Sequence, residues 1–508
     1  MESGELLFGA SADPGQVFAT LSARYQVHAE PTTIAHWTCV DTADWRLHRA
    51  GLTLRDARQG RASQLLLSVR DSPPITAPSP RKRWPRRVDT LPASLVRERI
   101  APAVGVRALL PLAEVDVRSL VLRLLDNDEK TRVRVQVDQQ RLTGTGRAPL
   151  PLRVLVSPLR GYERDGRRCA EMLTDSMRPV STGLTAATVA MSMAGHAPGQ
   201  PAVAPPDLDP AASAVESLVR VLRRWMDVVD LARPGVLADI DVEYLHDLRT
   251  AVRATRSMLT LAGDLLPASQ TARFAAEFAW LSRLTTPVRD LDVSLLELDG
   301  QGDTDVTGLD DLEPMRRHLA ARRSSALRAL RTGLQSARGA GLGISWRRAL
   351  DDVAAAQLPA PATSDRAATQ ARTAYARTVK AAARVTGETP ADELHRLRRR
   401  CKQMRYLLDS YGSIFAPDPH RDVLRTLKSL QDCLGAIQDV DVQRGQLSAV
   451  ATALTRRGTS AETVLAMGAL GDRTARRETA ARRVLARRLE RFCAPATREC
   501  VDVLAPSR

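Results

Sequence analysis

The sequence predicts an α+β multidomain protein: a β-rich N-terminal domain over residues 1–190, a Pro/Ala-rich linker over 191–210, and an all-α domain over 211–508. Three observations predict it. Short runs of alternating polarity recur before residue 190, prolines crowd residues 195–211, and the remainder repeats one helical pattern twice. The halves of the helical domain are expected at about 211–355 and 360–505, so the chain is read as carrying a tandem duplication. That repeat is far longer than the roughly 20–50 residues of solenoid units, so each copy is expected to be a small bundle with its own turns.

In the first domain, Thr131-Arg132-Val133-Arg134-Val135-Gln136-Val137 alternates strictly and Gln64-Leu65-Leu66-Leu67-Ser68-Val69 is a shorter apolar run. Both read as strands, since alternate side chains of a strand face opposite sides. An α+β or barrel domain fits them. Proline clusters interrupt residues 73–92, where Ser79-Pro80-Arg81-Lys82-Arg83-Trp84-Pro85-Arg86-Arg87 is expected to be a basic loop. Pro198, Pro201, Pro205, Pro206 and Pro210 among Ala, Gly and Asp cannot build a core and read as a linker. Beyond it, Ala-, Leu- and Arg-rich helices run to the end. The acidic, Gly-containing stretch 299–310 is expected as a surface loop, and 357–366 as the join between the halves.

The repeated helix carries the candidate site. Leu245-His246-Asp247-Leu248-Arg249 continues to Arg253 and Arg256; Leu394-His395-Arg396-Leu397-Arg398 continues to Lys402 and Arg405. The histidines stand 149 residues apart (395 − 246). At about 100° per residue, the histidine and the three cations at offsets three, seven and ten fall within an arc of roughly 80°. Apolar residues at offsets −1, 2, 6 and 13 form a core stripe beside that arc, so the cations border a cleft shared with other helices. Like charges at three- and four-residue spacing repel unless something neutralises them. Offsets three to ten of the first copy hold no acidic residue, which points to a supplied anion. The two histidines are read as hydrogen-bond donors to phosphate oxygen, with charge tunable near neutral pH.

A second landmark keeps the spacing. Asp290 and Asp292 are answered by Asp439 and Asp441, again 149 apart (439 − 290). Two carboxylates per copy, without a third or a histidine, are thin for a metal site. They read either as caps of a following helix or as groups that orient the cleft arginines.

Composition sets the remaining bounds. With 508 residues, about two to four domains are expected. The net charge of +16, from 74 basic and 58 acidic residues, favours anionic partners. Only Lys82, Lys130, Lys380, Lys402 and Lys428 among the cations are lysines. Arginine suits phosphate through its two-pronged fork, although codon bias towards Arg and Ala accounts for the excess equally well. Six cysteines are scattered without a C-x-x-C pair and read as reduced thiols, with Cys401 and Cys433 at core positions. There is no leader-like start and no 18-residue apolar run, so a cytoplasmic protein without a membrane partner is expected. Phosphate-loop, zincin and nucleophile-elbow motifs are absent, so neither a catalytic residue nor a cofactor is expected. Only six each of Trp, Tyr and Phe occur, and no aromatic ladder interleaves the cation lines, which leaves base stacking by nucleic acid with little support, although shape-blind phosphate contact stays possible.

The two His-x-x-Arg helices, the two Asp-x-Asp segments and Leu430-Gln431-Asp432-Cys433-Leu434-Gly435 resemble the CHAD family, the conserved histidine α-helical domain. The resemblance covers the C-terminal three-fifths of the chain. It implies two helical bundles related by a pseudo-two-fold axis, with basic residues lining a central cavity that binds inorganic polyphosphate or another polyanion without chemistry. The implied binding positions are His246, Arg249, Arg253, Arg256, His395, Arg398, Lys402 and Arg405, and Lys428 matches a further basic position. Association with polyphosphate granules follows as an expectation.

The N-terminal domain resembles the CYTH triphosphatase-like fold through Val40-Asp41-Thr42, Gly51-Leu52-Thr53-Leu54-Arg55 and Leu159-Arg160-Gly161-Tyr162-Glu163. The resemblance implies a tunnel of antiparallel strands. Active members begin with Glu-x-Glu-x-Lys, whose carboxylates hold a divalent metal. Here the start is Glu5-Leu6-Leu7-Phe8-Gly9, and Leu152-Arg153-Val154-Leu155-Val156 stands where further acids are usual. A domain that has lost metal-dependent catalysis is therefore expected. Arg55, Arg132 and Arg134 remain as phosphate contacts or as exposed strand arginines.

Overall fold

The computed structural model describes residues 5–69, 74–80, 83–144, 147–180, 184–300 and 312–504, without the side chains of 439, 441 and 442. Arg81 and Lys82 of the expected basic loop, nearly all of the acidic loop, and the side chains of Asp439 and Asp441 lie outside the described residues. The chain divides into two compact units, Met1–Ala204 and Pro205–Arg508.

The first unit opens with β1 (Glu5–Phe8), α1 (Pro14–Ser22), β2 (Gln26–Ala29), β3 (Thr33–Thr42) and α2 (Arg46–Arg49). It continues with β4 (Leu52–Gln59), β5 (Ala62–Val69), β6 (Ile75–Pro78), β7 (Arg86–Arg87) and α3 (Leu95–Val104). The long strands β8 (Ala108–Leu125) and β9 (Thr131–Leu142) follow, then β10 (Ala148–Pro149), β11 (Leu152–Pro158), α4 (Glu163–Ser176) and α5 (Ala186–Met193). The strands pair antiparallel in the order β1-β11-β9-β8-β3-β4-β5-β6, with β10 on β9 and β2 and β7 on β8. The alternation read in 131–137 is realised in β9: Val133, Val135 and Val137 are fully buried in a core with Val17 and Leu21 of α1 and Cys169 and Leu173 of α4. On the opposite face Trp37, Cys39 and Val115 pack against Ala187, Ala190 and Met191 of α5.

The second unit is helical: α6 (Ala214–Ala238), α7 (Val242–Ala262), α8 (Ala268–Asp299), α9 (Glu313–Gln335), α10 (Ala337–Ala355), α11 (Thr363–Ala382), α12 (Ala391–Ser410), α13 (Pro417–Thr455), α14 (Ala461–Cys493) and α15 (Pro495–Asp502). The duplication is visible in where helices begin. The starts of α6 and α11, α7 and α12, and α8 and α13 each differ by 149 (363 − 214, 391 − 242, 417 − 268). Equivalent residues also meet each other. Ala214 N–H donates to the Pro361 carbonyl at 3.0 Å, Thr363 N–H donates to the Ala212 carbonyl at 2.9 Å, and Ser213 forms an antiparallel bridge with its own equivalent, Ala362. Reciprocal contacts of this kind are what a two-fold axis produces. Leu245, Leu248, Val252 and Leu259 of α7 and Leu394, Leu397, Cys401 and Leu408 of α12 are buried in one core that runs through both halves.

Composition suggested a linker as far as residue 210, but its last residues are anchored. Leu208 is buried among the helices, its N–H donates to Ser413 Oγ at 3.1 Å, and that hydroxyl donates to the Pro206 carbonyl at 3.3 Å. One apolar side chain with a core slot overrides the prolines around it.

Candidate anion site

The site is built on α7 and α12, which pack against each other. Asp241 starts α7 by accepting from the N–H groups of Glu243 and Tyr244 at 2.9 and 3.2 Å, which fixes the phase of the helix. Burying the apolar stripe then sets His246, Arg249 and Arg253 half-buried on its border, and α12 does the same for His395, Arg398, Lys402 and Arg405.

Arg249 reaches across to α8, donating to Thr285 Oγ1 at 3.0 Å and Thr286 Oγ1 at 2.9 Å. Burial pushes its guanidinium down to about 10; Arg253 and Arg289 press the same way, and Asp290 opposes them. Arg398 makes the equivalent crossing in the other half. It passes over α13 at Gly435, where an added Cβ would stand 3.3 Å from Nη2, and donates to Gln438 Oε1. Gly435 and Gln438 stand 149 residues after Thr286 and Arg289 (435 − 286, 438 − 289), so both arginines cross their partner helix at the same place.

The two cation lines meet at Tyr406. Burial raises its phenol above the ordinary value, while Arg253 from α7 and Arg405 and Arg398 from α12 pull it down. The ring stands edge-on to Trp225 at 6.5 Å, and Trp225 Nε1–H donates across the halves to Ser410 Oγ at 3.2 Å. Several arginine donors here are buried without a protein acceptor among the described residues: Nε of Arg224, Arg249 and Arg253, and Nη1 of Arg289.

Carboxylates are few. Asp409 accepts from Arg405 Nε at 3.3 Å and acts on Arg224, whose own charge burial disfavours. Asp290 faces Arg249, Arg253 and Arg289, and burial holds its carboxyl above the usual range against their pull. The capping alternative for the Asp-x-Asp segment fails, because Asp290 and Asp292 lie inside α8. Asp290 is left facing the seam arginines. Asp292, 1% exposed, pairs instead with Arg323 of α9, whose guanidinium also grips Asp239 at 2.7 and 2.8 Å.

Not every expected residue joins the cluster. Arg256 is exposed, whereas its equivalent Arg405 is half-buried and donates to Gln431 at 3.5 Å. Lys428 is exposed and opens on a groove between α13 and α14. Conversely, Arg224, Tyr406 and Gln438 were not singled out in the sequence. Arg224 lies outside the duplicated motif, with Thr373 at the same offset (373 − 224), so repetition gives it no signal.

In the N-terminal unit, Glu5 is held by Arg153, which also donates to Asp138 Oδ2 at 2.6 Å. Burial disfavours the Arg153 charge, but Glu5 and Asp138 hold its guanidinium above the ordinary value. Arg55 is 6% exposed, so it is not an exposed strand arginine; it lies over Trp37 at 4.8 Å and donates to Ser68 Oγ at 2.9 Å. Trp37 supplies a flat apolar wall that strand alternation alone does not reveal as a cation platform. Arg134 is exposed, and half-buried Arg132 lies near Asp126 and Asp165. Glu5 and Asp138 share the Arg153 guanidinium, so this donor set does not fit a divalent metal. Among the described residues, no group of three or more His, Cys, Asp or Glu is placed to hold one.

Residues 220–448 match the family model of the CHAD domain. The match lies wholly within the helical unit, which therefore carries a CHAD domain. Among solved structures, the CHAD domain from the plant Ricinus communis is 21% identical over 57% of this chain and 95% of that one, with a TM-score of 0.49. PptA from Streptomyces chartreusis is 19% identical over 55% and 100%, with a TM-score of 0.42. HpAC1 from Hippeastrum, a protein with a dominant triphosphatase activity, is 15% identical over 36% and 92%, with a TM-score of 0.25. No curated protein matches the chain.

Proposed function

We propose that the CHAD domain binds inorganic polyphosphate, or a closely related polyanion, in a basic cleft along the seam of α7 and α12, without chemistry. Arg249, Arg253, Arg398, Lys402 and Arg405 supply the charge, His246 and His395 stand beside them, and Arg256 and Lys428 take the rim. The observation that carries this reading is the meeting of cations from both halves around Tyr406 with buried N–H groups left over. A buried donor without an acceptor costs about 1–3 kcal/mol. A phosphate chain brings several acceptors at once and offsets the burial, and after it the repulsion from Arg253 and Arg289, that depress Arg249. Removing one charge-assisted contact costs about 1.5–3 kcal/mol, so Arg253→Ala or Lys402→Ala is expected to weaken binding roughly ten-fold or more. The measurement is a titration with polyphosphate in competition with duplex DNA. Duplex DNA displacing polyphosphate at equal phosphate concentration would favour the nucleic-acid reading instead.

We propose further that the N-terminal unit is not a metal-dependent triphosphatase. What supports this is Arg153, whose guanidinium bridges Glu5 and Asp138 where a metal would need their oxygens. Inorganic triphosphate incubated with magnesium or manganese is expected to remain intact. Turnover that Glu5→Ala abolishes would overturn the assignment.

A further inference from the structure

We infer that the bound polyanion leaves the seam on one side only, crossing α13 into the groove between α13 and α14, and that this groove makes the domain prefer long chains over short ones. The inference rests on the seam being the primary site. The groove has a volume of about 510 Å³ and is lined by Arg425, Lys428, Asp432 and Arg488 over small residues that include Ala436 and Ala481. Arg425, Lys428 and Arg488 are all exposed. Arg425 is held by Asp422 at 2.9 Å, whereas neither Lys428 nor Arg488 makes an ion pair among the described residues. The Cys433 thiol donates to the Ala481 carbonyl at 3.3 Å, so the two helices approach closely beneath the groove and only its mouth is wide.

Two observations connect the groove to the seam. Gln431, which accepts from Arg405, lies three residues after Lys428 on α13, and residues so spaced are neighbours on a helix surface. A chain leaving Arg405 therefore meets Lys428 next and the groove beyond it. The second observation is asymmetry. The same offset places Ala276 and Ala279 of α8 where α13 has Arg425 and Lys428 (425 − 276, 428 − 279). The seam is duplicated, but Arg425 and Lys428 are not.

The energetic consequence is one of linked sites. A short chain fills the seam alone, whereas a long one engages both subsites, and the second contact is intramolecular. The test uses the full chain with two probes, tripolyphosphate and a long-chain polyphosphate. Arg425→Gln/Arg488→Gln is the groove variant, Arg253→Gln the seam variant, and Arg487→Gln the control for the same α14 surface. The groove variant is expected to bind long-chain polyphosphate about ten-fold more weakly and tripolyphosphate within about two-fold of the parent. The seam variant should weaken both probes, and the control neither. Equal effects of the groove and control variants would overturn the inference while leaving the seam reading intact. A seam variant that binds both probes normally, with a groove variant that binds neither, would overturn the seam reading and make the groove the primary site.

Discussion

Asp290 is the residue at which charge, burial and function meet. Burial raises its carboxyl above the ordinary value of 3.8, although Arg249, Arg253 and Arg289 all favour the ionised form. An acid whose folded pKa is raised contributes stability that is fully present below its unfolded pKa and lost as pH rises through the folded one. At neutral pH the ionised Asp290 therefore costs stability. Asp290→Asn is expected to keep or raise the melting temperature at pH 7, with the gain shrinking as pH falls into the window just above 3.8. Removing its charge also leaves the seam more positive, so polyphosphate should bind Asp290→Asn more tightly at pH 7, and the two proteins should converge in acid. Weaker binding by the variant at pH 7 would mean that the carboxylate is needed to hold the arginines in place. That Asp290 belongs to the site was legible from the paired Asp-x-Asp segments. Its place inside a helix was not, because Pro287 three residues earlier signals a break. Locally the turn is tied by hydroxyls: Thr286 Oγ1–H donates to the Ser282 carbonyl at 2.8 Å and Thr285 Oγ1–H to the Leu281 carbonyl at 3.1 Å.

At the scale of elements, the two crossings of α7 over α8 and α12 over α13 use different chemistry for one geometry. Thr286 receives Arg249, whereas Gly435 makes room for Arg398. Gly435 lies inside α13, where glycine is about 1 kcal/mol less favourable than alanine. Gly435→Ala is thus expected to leave the melting temperature unchanged or higher while pushing the Arg398 guanidinium off its position. Polyphosphate affinity should fall several-fold, a change on the order of 1 kcal/mol. Stability and binding moving in opposite directions is the signature to look for; unchanged affinity would remove Arg398 from the site. The amphipathic stripes of α7 and α12 were legible because helical periodicity is local. The groups facing the cations were not, since Thr285, Gln438 and Tyr406 become neighbours only through helix pairing. The same holds for Arg55, whose burial depends on Trp37 across the adjacent strand pair.

For the molecule as a whole, the duplication explains both the fold and the position of the proposed site. Two equivalent helices packed about a pseudo-two-fold axis bring two cation lines together that neither half assembles alone. The 149-residue offset made this arrangement legible from sequence, because helix starts and charged positions share it. The sheet of the N-terminal unit was legible in β5 and β9, but the ion pairs of Arg153 required three strands to be placed side by side. The central claim is that specific cations in the seam, and not the overall charge of +16, bind the polyanion. The direct measurement is polyphosphate binding by the full chain at two salt concentrations, comparing Arg253→Glu and Lys402→Glu with Arg456→Glu and Arg477→Glu. Reversal in the seam both removes attraction and adds repulsion. Binding should all but vanish in the first two variants at either salt. The two surface variants should lose little, and the parent should weaken steeply as salt rises, because bound phosphates release counterions. Equal losses in seam and surface variants would contradict the account and leave a diffuse polycation in its place.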